Sequence, residues 1–282
     1  MMSATKFVTA QFMSGTMFFA GLLLACGGLL LLFGTGHPIR RSIALIGATT
    51  GVLVTILSGT PLPSWAYALW SASFVAAGLG ISRRWSRNLW LAFAVTAASL
   101  LMAAWEAQYH KAVKIPVAGC DTLFVVGDSL SMGADPPGKN WPELLAEKAG
   151  MTAKNYSFGG AKVASAQHNA ERIDKETALV ILEIGGNDLL SGTSAFEADL
   201  ERMLQTVCNG KRRVAMLELP LPPLFNRYGA AQRRLARIHG VTLIPKKYLT
   251  MVLTAPNATV DGLHLSNAGH TLLAETLFSM FE

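Results

Sequence analysis

Ser129, Asn187, Asp261 and His264 have the types and neighbours that acyl-transfer chemistry needs. A serine hydroxyl becomes a useful nucleophile when a base takes its proton. An imidazole titrates near neutrality and suits that task, which makes His264 the candidate base. Asp261 stands three residues earlier, where it can orient the ring and offset the charge the ring gains. Ser129 closes the triplet Gly127-Asp128-Ser129, directly after an apolar run, where a sharp strand-to-loop step exposes a hydroxyl. The tetrahedral intermediate also needs hydrogen-bond donors for its oxyanion. Asn187, in Gly185-Gly186-Asn187-Asp188, offers a side-chain amide, and the backbone N–H groups of Ser129 and Ser157 offer two more. Gly159 and Gly160 are further candidates, for the oxyanion or for a turn. The alternative for Asn187 is an Asx-turn cap. His37, His110, His168, His239 and His270 show no metal-ligand spacing, so neither metal nor cofactor is expected. His270, beside Gly269, reads as a packing or capping residue.

These residues need a scaffold that brings distant segments together. From about residue 117 the chain alternates short apolar runs with helical patterns. Strands are expected over Thr122–Val126, Lys154–Phe158, Ala178–Ile184, Val214–Leu219 and Val241–Ile244. Helices are expected over Trp141–Ala149, Ala161–Lys175, Ser194–Cys208, Ala230–His239 and Asn267–Phe278, with Ser194 and Glu197 in capping-box spacing. Strands alternating with helices imply a mostly parallel sheet covered on both faces. Ligands bind such sheets outside the C-terminal strand ends, and the three polar motifs fall there or near the last helix.

At these residues the chain resembles the SGNH hydrolase superfamily, also called GDSL esterases and lipases. The resemblance covers residues 119–282. Phe124-Val125-Val126-Gly127-Asp128-Ser129-Leu130 is similar to its first block, Gly185-Gly186-Asn187-Asp188 to its third, and Asp261-Gly262-Leu263-His264-Leu265-Ser266 to its last. The second block, Asn-x-Gly-x-x-Gly, is met here as Asn155-Tyr156-Ser157-Phe158-Gly159-Gly160. Ser157 falls where the oxyanion glycine is expected, and another alignment gives that role to Gly159. The resemblance implies a three-layer α/β/α domain and a Ser129–His264–Asp261 triad that works through an acyl-enzyme. It implies an oxyanion hole from Ser129, Ser157 and Asn187.

The N-terminal part has a different composition. Residues 1–116 hold one acid, Glu106, and eight Lys or Arg, whereas residues 117–282 hold 17 acids and 16 Lys or Arg. The overall charge of +6 therefore comes from basic residues flanking apolar runs. It is not the footprint of a nucleic-acid partner, and Lys211-Arg212-Arg213 reads as a solvated turn. A membrane span needs roughly 20 apolar residues in a helix. Four spans are expected, near 12–33, 42–58, 64–81 and 89–106, with Ser58-Gly59-Thr60-Pro61 breaking the second from the third. This gives a membrane region over 1–116 and a hydrolase domain over 117–282. Arg40, Arg41, Arg83, Arg84 and Arg87 mark cytoplasmic loops. Four crossings then place the catalytic domain on the periplasmic or extracellular side of the cytoplasmic membrane. An oxidising compartment there permits a Cys120–Cys208 disulfide, and two free thiols are the alternative.

The function expected is a membrane-anchored serine esterase. Its substrates would be surface glycan O-acyl groups or lipid esters, and its partners the bilayer and a membrane protein docked on the spans. The segment from Leu130 to Trp141, with Met132, Gly133, Ala134, Pro136, Pro137 and Gly138, is either one wall of an acyl pocket or a plain surface loop. An O-acyltransferase acting on an extracytoplasmic glycan is the second enzymatic reading. A non-catalytic glycan or assembly module is the third.

Overall fold

A computed structural model of the chain describes residues 4–34, 37–82, 88–133 and 138–282. The chain divides into two units, one built mainly from Gln11–Lys111 and the other mainly from Ala112–Leu221 and Arg227–Glu282.

The N-terminal helices are α1 (Ala4–Met13), α2 (Thr16–Gly34), α3 (Pro38–Leu57), α4 (Ser64–Ser82) and α5 (Asn88–Ala107). Small residues let α2 and α3 approach until their backbones touch. A Cβ on Gly51 would lie 2.2 Å from the Ala25 nitrogen, and one on Gly28 would lie 2.5 Å from the Ala48 nitrogen. In a helix pair of this kind the driving force is close packing. Gly51→Val should therefore cost about 1–3 kcal/mol by overpacking, read as a lower thermal midpoint of the detergent-purified chain. An unchanged midpoint would mean that α2 and α3 are not held at this separation. Trp70, Phe74, Ala92 and Val95 join Phe18, Leu22 and Leu29 in one buried cluster, and the Trp70 indole N–H donates to Ser99 Oγ at 2.7 Å.

The expectation of four spans is corrected here. Among the described residues, only Pro38–Leu57 and Trp90–His110 are helices long and apolar enough to cross a membrane, and a third crossing is reached only if Thr5–Met13 and Thr16–Leu32 form one span. That pair is bent by 87°. Gly15 at φ +82° breaks it, and the Ser14 hydroxyl accepts from the Thr16 N–H to start α2 afresh. The expected third span, α4, is not among the helices that meet that length and hydropathy within the described residues. The exterior placement of the catalytic domain counted four crossings and loses that basis. Arg83, Arg84 and Arg87, used for the same argument, lie outside the described residues.

The second unit is a five-stranded parallel sheet in the order β2-β1-β3-β4-β5. Its strands are β1 (Thr122–Gly127), β2 (Thr152–Asn155), β3 (Leu179–Glu183), β4 (Arg213–Leu217) and β5 (Thr242–Ile244). Its helices are α6 (Ser129–Met132), α7 (Trp141–Ala149), α8 (Val163–Glu171), α9 (Thr193–Val207), α10 (Asn226–His239), α11 (Lys246–Thr254) and α12 (Asn267–Phe278). Alternate strand residues face opposite layers. Leu123, Val125, Leu179, Ile181 and Leu217 pack against α7, α11 and α12 through Trp141, Leu145, Val252 and Leu273. Phe124, Val126, Val180, Leu182 and Met216 are buried on the other face, the side of the mutually packed α8 and α9.

Several local expectations change. The edge strand β2 runs Thr152–Asn155 rather than Lys154–Phe158, ending where the Asn155 side chain accepts from the Ser157 N–H in a turn, and α9 opens at Thr193 behind Gly192 with no side-chain cap. Glu197 pairs with Arg234 instead of capping. Arg212 is no solvated turn residue, since its guanidinium donates to the carbonyls of Lys175, Thr206 and Ile173. Cys120 and Cys208 are free thiols, and burial pushes Cys208 up to about 11.

Candidate active site

Ser129 begins α6 one residue past β1. The turn is tight because a Cβ on Gly127 would stand 2.7 Å from Ser131 Oγ and 2.9 Å from the Glu183 carbonyl. Asp128 caps the helix, its Oδ1 accepting from the Leu130 N–H at 3.0 Å. Among the described residues the Ser129 N–H has no hydrogen-bond acceptor, so it remains available to a ligand.

His264 approaches from the loop before α12. Its Nδ1 lies 2.6 Å from Asp261 Oδ2. The other carboxylate oxygen accepts from the backbone N–H of His264 at 2.8 Å and of Leu263 at 2.9 Å. The bond from the His264 ring, followed by these two backbone donors, holds the Asp261 carboxyl well below the usual carboxylate range. Asp261 thus stays ionised and fixes one ring tautomer, with Nε2 as the free nitrogen.

Ser129 and His264 open onto one cavity of about 370 Å³, walled by Met132, Gly133, Gly159, Val260 and Leu265. No hydrogen bond joins the two side chains among the described residues. Catalytic contacts of this type often close only when substrate arrives. Met132 and Gly133 thus form wall rather than bare surface, and Ala134, Pro136 and Pro137 lie outside the described residues.

The oxyanion candidates separate. The Ser157 N–H donates to Asn155 Oδ1 at 3.1 Å in a local turn, so it is spent. Asn155 also ties the turn to α6, donating from Nδ2 to the Ser131 carbonyl at 2.7 Å. Gly159 lines the cavity, Gly160 follows in the left-handed region at φ +71°, and neither N–H has an acceptor among the described residues. Asn187 lies in a 3-10 turn after β3. Its Nδ2 donates to Asp128 Oδ2 at 3.1 Å and to the Ala161 carbonyl at 3.0 Å. His270 is buried behind the site, with Nδ1 accepting from the Trp141 N–H at 3.2 Å.

Two carboxyls have no role in the sequence reading. Asp128 stands between Ser129 and Asn187, and Glu183 ends β3 beneath them. The signal for Glu183 was present, a lone acid inside Ile181-Leu182-Glu183-Ile184, where burial demands a partner. Among the described residues no group of three or more His, Cys, Asp or Glu forms a metal-binding cluster.

Residues 125–272 match the family described as GDSL-like Lipase/Acylhydrolase. Thioesterase 1/protease 1/lysophospholipase L1 of Escherichia coli is 28% identical over 173 residues, spanning 56% of this chain and 82% of its own. Esterase TesA of Pseudomonas aeruginosa is 30% identical over 180 residues, spanning 57% of this chain and 88% of its own. The crystal structure of TesA aligns at 26% identity and a TM-score of 0.49, covering 56% of this chain and 97% of that one.

Proposed function

Since the chain belongs to the GDSL-like Lipase/Acylhydrolase family and is a serine-dependent carboxylic-ester hydrolase, we propose that it cleaves lipid esters at a membrane through Ser129, His264 and Asp261. The observation that carries this reading is the shared cavity, with Ser129 and His264 on one rim and His264 held by Asp261. Met132, Val260 and Leu265 give that cavity apolar walls suited to an acyl chain. The relative from Escherichia coli bears the name of a lysophospholipase, which favours a lipid ester over a glycan O-acyl group. The apolar helices, Pro38–Leu57 and Trp90–His110 above all, hold the enzyme at its substrate.

In this mechanism His264 Nε2 takes the Ser129 proton as Oγ attacks the ester carbonyl. The oxyanion collects the N–H of Ser129, an N–H of the Gly159–Gly160 turn and the Asn187 amide. Asn187 keeps its bond to Asp128 and turns its other N–H away from the Ala161 carbonyl. His264 then protonates the departing alcohol, and water repeats the sequence on the acyl-enzyme. Removing one oxyanion donor costs about 10²–10³-fold in kcat. Asn187→Ala should fall by that amount with a nearly unchanged KM, and a wild-type kcat would take Asn187 out of the hole.

The test is acyl release from p-nitrophenyl esters of increasing chain length and from lysophosphatidylcholine, beside labelling by an organophosphonate. Turnover together with phosphonate on Ser129 supports the reading. No release from any of them and no adduct on Ser129 sinks it. Release only when a sugar acceptor is added would move the assignment to acyl transfer.

A further inference from the structure

Beneath the nucleophile turn lies a connected set of polar groups that the catalytic steps above do not use. Glu183 is fully buried at the end of β3, level with Gly127 of β1. Its Oε2 accepts from Ser131 Oγ at 2.8 Å, and Ser131 Oγ accepts in turn from the Trp141 indole N–H at 3.2 Å. Its Oε1 is sealed from solvent and receives no donor among the described residues. The Asp128 backbone N–H reaches Glu183 Oε2 at 3.4 Å, and the two carboxyls are close enough that each bears on the other's ionisation. Asp128 also accepts from the Leu130 N–H and from Asn187 Nδ2. Two carboxyls sharing one buried site cannot both carry charge cheaply, so one keeps a proton.

The division of that proton follows from the partners. Burial raises Asp128 as well, but the Leu130 N–H, the Glu183 side chain and His264 act against that rise and Asn187 Nδ2 donates to it, so Asp128 is the better place for the charge. Burial, and then the nearby Asp128 charge, raise Glu183 well above the usual carboxylate range. The other titratable groups around the pair are Asp188, which acts on the Asp128 side, and His270 beyond Trp141.

We propose that Glu183 is a positioning residue for the oxyanion amide: its protonated carboxyl donates to Asp128, and Asp128 so held fixes Asn187 beside the nucleophile turn. The inference rests on the proposed Ser129 mechanism. It carries a pH signature. Below the ionisation of Glu183 the chain Glu183–Asp128–Asn187 is intact. Above it, two adjacent negative charges repel, Asp128 loses a donor, and the Asn187 amide loses its anchor. The consequence is an alkaline fall in kcat, separate from the acid limb on which a catalytic histidine gains its proton.

The experiment compares wild type, Glu183→Gln and Glu183→Leu across pH on a p-nitrophenyl ester. Gln keeps a donor for Asp128 and cannot ionise. It should hold kcat within about threefold of wild type near neutrality and lose the alkaline limb. Leu fills the space without a donor and should lower kcat about tenfold or more, with KM within about threefold. An alkaline limb unchanged in Glu183→Gln overturns the proposal, and so does wild-type kcat in Glu183→Leu. If the Leu variant fails to fold, the Gln profile decides alone. A second readout does not need turnover. The infrared difference between wild type and Glu183→Gln, in ester-free detergent, should contain the C=O stretch of a protonated carboxyl at neutral pH and lose it on alkaline titration. Absence of that band overturns the proposal whether or not the ester is cleaved, whereas a wild type inert to every ester, with the band present, counts against the Ser129 mechanism alone.

Discussion

Ser129→Ala should lose ester turnover by ~10⁴-fold or more, because removing the nucleophile leaves only binding and the oxyanion donors to act on the substrate. The fold should survive. Among the described residues Ser129 Oγ makes no hydrogen bond that the alanine would break, and the turn itself is held by Asp128 and by the close approach at Gly127. KM should change little, since the apolar walls of the cavity are untouched. The measurement is kcat for a p-nitrophenyl ester over a purified series, with the melting temperature as a control on folding. A variant that keeps a tenth of the activity would mean that the nucleophile lies elsewhere. Ser131, in the same short helix, is fully buried and bonded to Glu183 and Trp141, so it cannot meet a substrate without unpacking α6.

Arg233→Ala should destabilise the hydrolase unit by about 3–5 kcal/mol, the cost of leaving a buried charge without its partner. Arg233 Nε lies 2.6 Å from Glu218 Oε1, and the side chains are only 4% and 1% exposed. Glu218 Oε2 also receives the Lys246 N–H at 3.2 Å, which joins the end of β4 to the start of α11. The loss should appear as a lower thermal midpoint, while kcat of the remaining folded enzyme stays near wild type because Arg233 lies away from the cavity. Adding Glu218→Ala should recover part of the loss, since the orphaned carboxylate goes with it. A double variant that is worse than the sum of the two single ones would show that the pair stabilises through something other than its mutual charge.

The parts of this molecule written plainly in the sequence are those that local pattern determines. Leu123-Phe124-Val125-Val126 could hardly be anything but a strand buried on both faces, and α7 and α12 begin and end at Trp141–Ala149 and Asn267–Phe278, as their caps and periodicity indicate. The helix α11 went unread because Lys-Lys-Tyr-Leu-Thr-Met-Val-Leu-Thr is rich in β-branched and aromatic residues. Its helicity comes from burying Leu249, Val252 and Leu253 against the core. The spans failed for a related reason. A count of uncharged residues takes Thr5–Met13 and Thr16–Leu32 as one straight run, because it cannot register the bend at Gly15. In the site, motif order pointed to Ser129, Asn187, Asp261 and His264. The turn that spends the Ser157 N–H, and the buried partnership of Asp128 with Glu183, depend on residues far apart in the chain, and no spacing rule reaches them.

The strand order has a consequence for how this enzyme can diversify. From β1 the chain passes through α7 to β2 on one side, then crosses back through α8 to β3 on the other. The segments leaving β1 and β3 therefore depart toward opposite layers, and a crevice opens between them at this topological switch point. Asp128 and Ser129 form one lip of it, Gly186 and Asn187 the other, kept level by the pairing of Gly127 with Glu183. Such a cleft is a product of chain path rather than of side chains carved to make room. The lengths and chemistry of the surrounding loops, those bearing Met132 and Val260 among them, are thus free to change and to re-select the acyl group, while the serine stays where the winding of the sheet puts it.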